Sequence, residues 1–116
     1  MLRRTVAAAT TAVVMLALTT EADQQRAEAL AQQLLDRSLV ACVSLQPVRS
    51  LYHWQGRIER SQEVQLLCKT SPSALPALEA AVRALHSYDT PEWLVWPATA
   101  SVDYAAWLTG VVAPAA

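Results

Sequence analysis

The longest regular pattern in the sequence is a pair of alternating apolar and polar runs within residues 39–70. The pair Gln55-Gly56 between the two runs predicts a tight two-residue turn, because glycine accepts the positive φ that such a turn needs. The polar run at residues 59–62 offers a second place for the reversal, or a bulge on the returning strand. In either case the pattern predicts a β-hairpin whose strands are much longer than the usual five or six residues.

A hairpin of this length has more apolar surface than one small domain can cover. Tyr52 and Trp54 share one of its faces, and aromatic side chains in such positions are typical of protein–protein interfaces. Unpaired strand edges also invite aggregation unless they are covered. We therefore expect a partner chain to bury the remaining surface of the hairpin.

Two helices are predicted on either side of the hairpin. Residues 20–37 place one apolar stripe on a helix face, namely Ala27, Leu30, Ala31, Leu34 and Leu35. Thr20 is the expected N-cap of this helix, and Glu21 and Asp23 suit its positive end. Residues 71–73 break the hairpin and open a second helix, which ends at His86 and has the stripe Leu75, Leu78, Val82 and Leu85.

The remaining elements lie near the two ends of the chain. Residues 12–19 predict a buried first strand, although Arg3 and Arg4 before this apolar run also fit the start of a secretory signal. Residues 93–96 predict a fourth strand closed by Pro97, and residues 103–108 a short helix. The order is β-α-β-β-α-β with a C-terminal helix, an α+β fold of the ferredoxin-like plan. We expect residues 1–11 to be a flexible extension and residues 12–116 to form a single domain.

Composition narrows the possible partners. The chain has 116 residues, 53% of them hydrophobic, and a net charge of −1, so it lacks the basic character of nucleic-acid-binding proteins. The apolar segment near the start is too short for a membrane-spanning helix, and we expect no membrane partner. Cys42 and Cys68 both fall inside predicted strands, where a reduced thiol packs as a small apolar group. This use of cysteine favours the cytoplasm.

Three side chains are candidate metal ligands: His86, Glu63 and Cys42. Imidazole is the commonest protein ligand for metals, but a histidine at a helix end also serves to bind backbone carbonyls. Glu63 could supply an oxygen ligand or be an exposed strand-edge carboxylate, and Cys42 could supply a soft thiolate or be a buried inert thiol. One histidine fixes no coordination geometry, so we expect no obligatory cofactor, and a divalent or copper ion only as an optional ligand.

Lys69 is a candidate for anion binding where subunits meet. The ordinary alternative, which we favour, is an ion pair between Lys69 and a neighbouring carboxylate. The sequence contains no nucleophile elbow and no recognisable pair of catalytic carboxylates. We therefore predict a binding protein and not an enzyme.

Five motifs in order resemble the CutA family, the divalent-cation tolerance proteins. They are LVACV at residues 39–43, SLYHWQG at 50–56, EVQLLCKT at 63–70, HSYDTPE at 86–92 and DYAAW at 103–107. Ser44 stands where the family pattern has asparagine, Cys68 where it has an aliphatic residue and Ser87 where it has proline. The glycine that commonly precedes the last motif is also missing. These departures affect the expected metal site more than the fold.

The resemblance implies a ferredoxin-like subunit in a tight homotrimer, similar in architecture to the PII signalling proteins. It also implies tolerance of divalent metals such as copper, with metal ions as binding partners. We accordingly predict a trimeric metal-ion-binding protein of the CutA type. The alternative is a PII-like sensor that binds a small anionic metabolite in the clefts between subunits, in contact with Lys69. A further alternative is an exported protein of the same fold.

Overall fold

The structure, a computed structural model, describes residues 10–114. Its elements are β1 (Thr11–Glu21), α1 (Gln24–Asp36), β2 (Cys42–Trp54), β3 (Arg57–Thr70), α2 (Leu75–Leu85), β4 (Leu94–Ser101) and α3 (Val102–Val111). The predicted extension at residues 1–11 falls outside the described residues except at its end, where Thr11 already belongs to β1. Within residues 10–114, no helix is both long enough and apolar enough to cross a bilayer.

The four strands form one antiparallel sheet in the order β2-β3-β1-β4. The predicted succession of strands and helices is confirmed, including the helix after β4. The strand interpretation of residues 12–19 is confirmed as well, because β1 lies inside the sheet between β3 and β4. Its apolar run faces both sides of the sheet: Ala17 belongs to the core under the helices, and Val14 packs against the residues of α3 on the opposite side.

The hairpin reverses at Gln55-Gly56, as the sequence predicts. Both residues have positive φ, 50° at Gln55 and 76° at Gly56, which is the backbone geometry of a type I′ turn. The pairing of β2 with β3 continues without interruption from Trp54↔Arg57 to Cys42↔Lys69. The alternative of a reversal or bulge at residues 59–62 is therefore wrong, because the ladder passes straight through them.

The first helix begins later than predicted. Thr20 is still part of β1, where it pairs with Gln65 of β3, so it is not the N-cap. That position belongs to Asp23, whose carboxylate accepts a hydrogen bond from the backbone N–H of Arg26 at 2.8 Å. Thr20 belongs to the sheet because β3 is long enough to pair with it through backbone hydrogen bonds.

The fourth strand does not end at Pro97. It continues to Ser101, and Pro97 lies opposite Met15 in the ladder with β1. A proline is tolerated there because β4 is an edge strand, on which a missing N–H can face away from the sheet. The other edge strand, β2, likewise contains a proline, Pro47.

The two faces of the sheet are covered unequally. Helices α1 and α2 pack on one face, where Leu34, Leu66 and Leu78 are fully buried. On the opposite face α3 covers only one end, through contacts of Ala105 and Leu108 with Val14. The rest, which we call the open sheet face, includes the polar side chains Ser44 and Lys69 and a set of apolar side chains aligned across the strands by the register: Leu16, Leu18, Leu67, Leu94 and Trp96. Leu94 is 50% exposed and Trp96 39% exposed.

The described part of the chain is elongated because the hairpin projects from it. The principal extents are 66 × 28 × 21 Å and the radius of gyration is 17.0 Å, against about 13 Å for a compact domain of this length. Near the turn, Leu51, Trp54 and Ile58 are each more than half exposed. The chain thus presents two apolar surfaces, the end of the hairpin and the open sheet face.

Candidate functional site

Charged and hydroxylated side chains gather where β1 ends, next to the segment that follows α2. The segment at residues 86–92 passes this end of the sheet before β4 begins. The residues involved, which we call the polar cluster, are Thr20, Glu21, Glu63, His86, Ser87, Tyr88 and Glu92. All are joined by hydrogen bonds between residues far apart in the sequence, so the fold and not local structure creates the cluster.

His86 is completely buried at the end of α2, and backbone groups occupy both of its ring nitrogens. Nδ1 accepts the N–H of Tyr88 at 2.9 Å, and Nε2 lies 2.9 Å from the carbonyl oxygen of Thr20. Because an amide can only donate and a carbonyl can only accept, Nε2 carries the ring hydrogen. The imidazole is therefore neutral in this arrangement, with its acceptor nitrogen facing Tyr88.

Glu21 lies beside His86, with its side chain only 2% exposed and its Oε2 atom 3.5 Å from Nδ1. Ser87 donates to it twice, through its backbone N–H at 3.0 Å and its hydroxyl at 2.5 Å, and Ala22 donates its N–H at 3.0 Å. Burial by itself raises the pKa of Glu21, but the hydrogen bonds from Ser87 and Ala22 hold the pKa below its usual value. Glu21 is thus a buried carboxylate kept ionised by its donors.

Glu63 accepts a hydrogen bond from the hydroxyl of Tyr88 at 2.6 Å. Burial, followed by this bond to a carboxylate, raises the pKa of Tyr88, so the phenol stays protonated. Glu63 also lines an open groove of about 690 Å³ between the start of α1 and the hairpin, together with Asp23 and Arg49. Solvent therefore reaches the neighbourhood of Glu63, whereas the side chain of His86 is inaccessible to solvent.

Cys42 lies far from the polar cluster. It pairs with Lys69 in the ladder, and residues 63 and 69 are separated on β3 by roughly 20 Å at about 3.3 Å per residue. The Cys42 thiol is half-buried, with its sulfur 3.6 Å from Nζ of Lys69. Cys68 is fully buried, and burial raises its pKa to about 12, which makes it an inert thiol.

Lys69 does not form the ion pair that we favoured from the sequence. Its ammonium group donates to the hydroxyl of Ser44 at 2.5 Å and approaches the sulfur of Cys42. No carboxylate of the described chain lies within salt-bridge distance of Lys69. The reason is its position on the open sheet face, where its neighbours across the strands are Cys42 and Leu16.

Two of the three predicted ligands have Tyr88 as a common neighbour. His86 accepts a hydrogen bond from the backbone N–H of Tyr88 and Glu63 accepts one from its phenol, while Cys42 lies apart. Nowhere in residues 10–114 do three histidine, cysteine, aspartate or glutamate side chains converge closely enough to hold an ion. Any complete site built on these residues needs a movement of Tyr88 or ligands from another subunit.

Sequence reasoning overlooked Glu21, Ser87 and Tyr88. The sequence predicts Glu21 in the first turn of a helix, and its contact with Ser87 joins residues 66 positions apart. A signal was present, however, since Ser87 and Tyr88 belong to the motif at residues 86–92. Ser87 in particular departs from the family pattern next to the candidate ligand His86.

Comparison with known proteins gives a consistent result. The sequence matches the family described as "CutA1 divalent ion tolerance protein" over residues 15–111. It is 46% identical over 93 residues to the divalent-cation tolerance protein CutA of Pectobacterium atrosepticum, covering 78% of this chain and 84% of that protein.

Solved structures agree with the sequence comparison. CutA from Synechococcus elongatus superposes with a TM-score of 0.86 at 39% identity, covering 90% of this chain and 95% of that one. The protein from Archaeoglobus fulgidus described as a periplasmic divalent cation tolerance protein superposes with a TM-score of 0.82 at 28% identity, covering 88% and 100%. This chain belongs to the CutA1 family of divalent ion tolerance proteins.

Proposed function

We propose that this protein is a cytoplasmic, homotrimeric, ferredoxin-like protein that binds divalent or copper ions and contributes to metal-ion tolerance, without catalysing a reaction. The observation that carries the proposal is the family match over residues 15–111, together with relatives whose names refer to divalent-cation tolerance. The carboxylates of the polar cluster and the imidazole of His86 are suitable types of ligand for such ions. We favour the cytoplasm because Cys42 and Cys68 are both free thiols.

The homotrimer is supported by the two apolar surfaces of the subunit. Leu94 and Trp96 on the open sheet face and Trp54 on the hairpin are each at least 39% exposed. Large exposed apolar patches of this kind mark interaction sites. Closed symmetry lets three copies bury these surfaces against one another and leaves none of them unpaired.

Size-exclusion chromatography with light scattering tests the assembly. We expect three times the subunit mass of 12.6 kDa at micromolar concentration. A monomeric mass under these conditions would refute the homotrimer. Mass spectrometry of the mature N-terminus tests the location, because an intact start at Met1 is expected for a protein that is not exported.

The ion is proposed to bind at the polar cluster through His86 and Glu63. Cys42 can take part only from another subunit, since within one subunit it is roughly 20 Å from Glu63 along the ladder. Isothermal titration with zinc and copper, comparing the native protein with His86→Ala and Cys42→Ala, tests this assignment. We expect His86→Ala to weaken binding, and equal affinity in the native protein and this variant would exclude His86 as a ligand.

The second candidate function is that of a PII-like sensor for a small anionic metabolite. The observation that favours it is Lys69, a half-buried cation whose ammonium group contacts Ser44 and Cys42 and forms no salt bridge within residues 10–114. Such a charge attracts anions at a subunit cleft. A thermal-shift screen of nucleotides against metal ions separates the two functions, because the true ligand raises the melting temperature by mass action. A nucleotide shift that disappears in Lys69→Ala would favour the sensor.

A further inference from the structure

Helix α3 adds a third apolar surface to the described chain. Its inner side packs on the sheet through Ala105 and Leu108, whereas Tyr104 and Trp107 on its outer side are exposed. The two aromatic rings lie 5.5 Å apart between centroids and are tilted by 49°. Tyrosine and tryptophan side chains placed in this way are typical anchors of protein–protein interfaces. We call this surface, which Val111 extends, the outer face of α3.

The hairpin has exposed aliphatic side chains on one side near its turn. Arg60 lies opposite Leu51, and Ile58 is two residues from Arg60 on the same strand. Residues opposite each other and residues two apart on a strand point to the same side of a sheet. Leu51 and Ile58 are both more than half exposed, and Arg60 is exposed as well. This surface, which we call the aliphatic side of the hairpin, thus combines an apolar patch with a guanidinium group.

These two surfaces cannot meet within one chain. Helix α3 packs beside Val14, and the next residue of β1, Met15, pairs with Thr70 at the far end of β3. Ile58 precedes Thr70 by 12 residues on the same strand, which is roughly 40 Å at about 3.3 Å per residue. The aliphatic side of the hairpin can therefore reach an outer face of α3 only on a second copy of the chain.

The charges of the two surfaces are complementary. Asp103 is exposed in the first turn of α3, four residues before Trp107 and hence on the same side of the helix. Neither Asp103 nor Arg60 forms a salt bridge in the described part of the chain. A guanidinium group beside Asp103 and the neighbouring rings is attracted by the carboxylate and by the aromatic faces. The outer face of α3 therefore offers partners for both the apolar and the charged part of the hairpin.

The open sheet face is a poorer partner for the aliphatic side of the hairpin. It includes Lys69, whose ammonium group would repel Arg60. Trp54, by contrast, points to the opposite side of the hairpin, where it faces Arg57, and remains available for other contacts. The charges thus select α3 for the aliphatic side.

We propose that the aliphatic side of the hairpin in one subunit docks on the outer face of α3 in the next, with Arg60 paired to Asp103 of the partner subunit. This inference rests on the proposed homotrimer and names the surfaces that meet in it. The contact joins opposite ends of an elongated chain, so it is head-to-tail, and such contacts form a ring when the rotation between subunits closes. In a ring of three, every subunit uses both surfaces once and leaves neither exposed.

Charge reversal tests the ion pair. We expect Arg60→Asp and Asp103→Arg each to raise by about tenfold the protein concentration at which light scattering shows half of the trimer dissociated, because three equivalent pairs become like-charged together. The double variant Arg60→Asp/Asp103→Arg should return to the native value. Arg83→Asp is the matched control, because Arg83 pairs with Glu79 on α2, away from both surfaces.

Cross-linking tests the contact directly. Ile58→Cys/Tyr104→Cys, built together with Cys42→Ser to remove the half-buried native thiol, should give covalent trimers on a denaturing gel after treatment with a short bismaleimide. Each single cysteine substitution should give no more cross-linked product than the native protein. A trimeric protein in which the double substitution does not cross-link, or in which Arg60→Asp dissociates no more readily than Arg83→Asp, would overturn this interface and leave the homotrimer standing. A native protein that is monomeric in light scattering would overturn both.

Discussion

Ser87 donates both its backbone N–H and its hydroxyl to the buried carboxylate of Glu21, at 3.0 and 2.5 Å. The family pattern has proline where Ser87 stands, and proline has no N–H to donate. The pair therefore links the end of β1 to the segment after α2 in a way that a proline at this position would forbid. It also places an ionised carboxylate next to His86.

Ser87→Ala should destabilise the protein. The change removes one hydrogen bond to a buried ionised group, and such bonds contribute about 1.5–3 kcal/mol. Ser87→Pro should cost more, because it removes the N–H donor as well. The free energy of unfolding from urea denaturation at neutral pH measures both effects.

Ser61→Ala is the control for this comparison. Its hydroxyl contacts that of Tyr52, a neutral partner on the hairpin, so the cost should stay below that of Ser87→Ala. If the two alanine variants unfold at the same urea concentration, the carboxylate of Glu21 does not depend on Ser87.

Acid should lower the free energy of unfolding of the native protein more than it lowers that of the variant Glu21→Gln. The pKa of Glu21 is lowered in the folded state from a value of 4.5 in the unfolded chain. The unfolded chain therefore binds the proton first as pH falls. Stability that is present above pH 4.5 is lost as pH falls through the folded pKa.

Urea denaturation at several pH values between neutrality and about pH 3 measures this difference. The pKa of Asp23 is lowered as well, by its hydrogen bond from the Arg26 amide, but Asp23 is present in both proteins and its effect cancels. Parallel pH profiles for the native protein and Glu21→Gln would contradict the assignment of the acid-sensitive group.

The two glycines should respond oppositely to alanine. At Gly56 the φ of +76° disfavours any L side chain, although a Cβ there would meet no atom within 4 Å, so Gly56→Ala should destabilise by about 1 kcal/mol through backbone strain alone. Gly110 lies in α3 with equally open space, so Gly110→Ala should stabilise by up to about 1 kcal/mol. Urea denaturation at one fixed protein concentration compares them. An unchanged or increased stability of Gly56→Ala would show that the turn does not require positive φ.

A charge on the open sheet face should dissociate the proposed trimer. Leu94, 50% exposed, lies on this face, and Leu35, 42% exposed, lies on α1, which packs on the other face. Leu94→Glu places a carboxylate in the interface and should give monomers in light scattering, because a buried unpaired charge is costly. Leu35→Glu should leave the mass unchanged. If Leu35→Glu dissociated the trimer and Leu94→Glu left it intact, the interface would lie on the helices and not on the open sheet face.

The parts of the fold that the sequence predicted are those set by local chemistry. The turn at Gln55-Gly56 and the apolar stripe of α1 depend on residues close together in the chain. The misplaced helix start at Thr20 and the strand end at Pro97 depend on pairing with distant strands. Local patterns contain no information about how far such a ladder extends.

The site was predicted only in outline for the same reason. His86 and Glu63 stood out by residue type, but their common partner Tyr88 is recognised only once the segment after α2 lies against β3. Glu21 is acidic and near a helix start, a position where carboxylates are common on the surface. Its burial arises because β1 runs two residues farther than the predicted strand end at residue 19.

Each outer strand of the sheet contains a proline, Pro47 in β2 and Pro97 in β4. Every proline removes one donor from a row of backbone groups that could otherwise serve as a template for further strands. A strand from an unrelated chain therefore cannot form an unbroken ladder of hydrogen bonds with either edge strand of the sheet. A sheet with so much exposed apolar surface is in this way protected from growing into a filament.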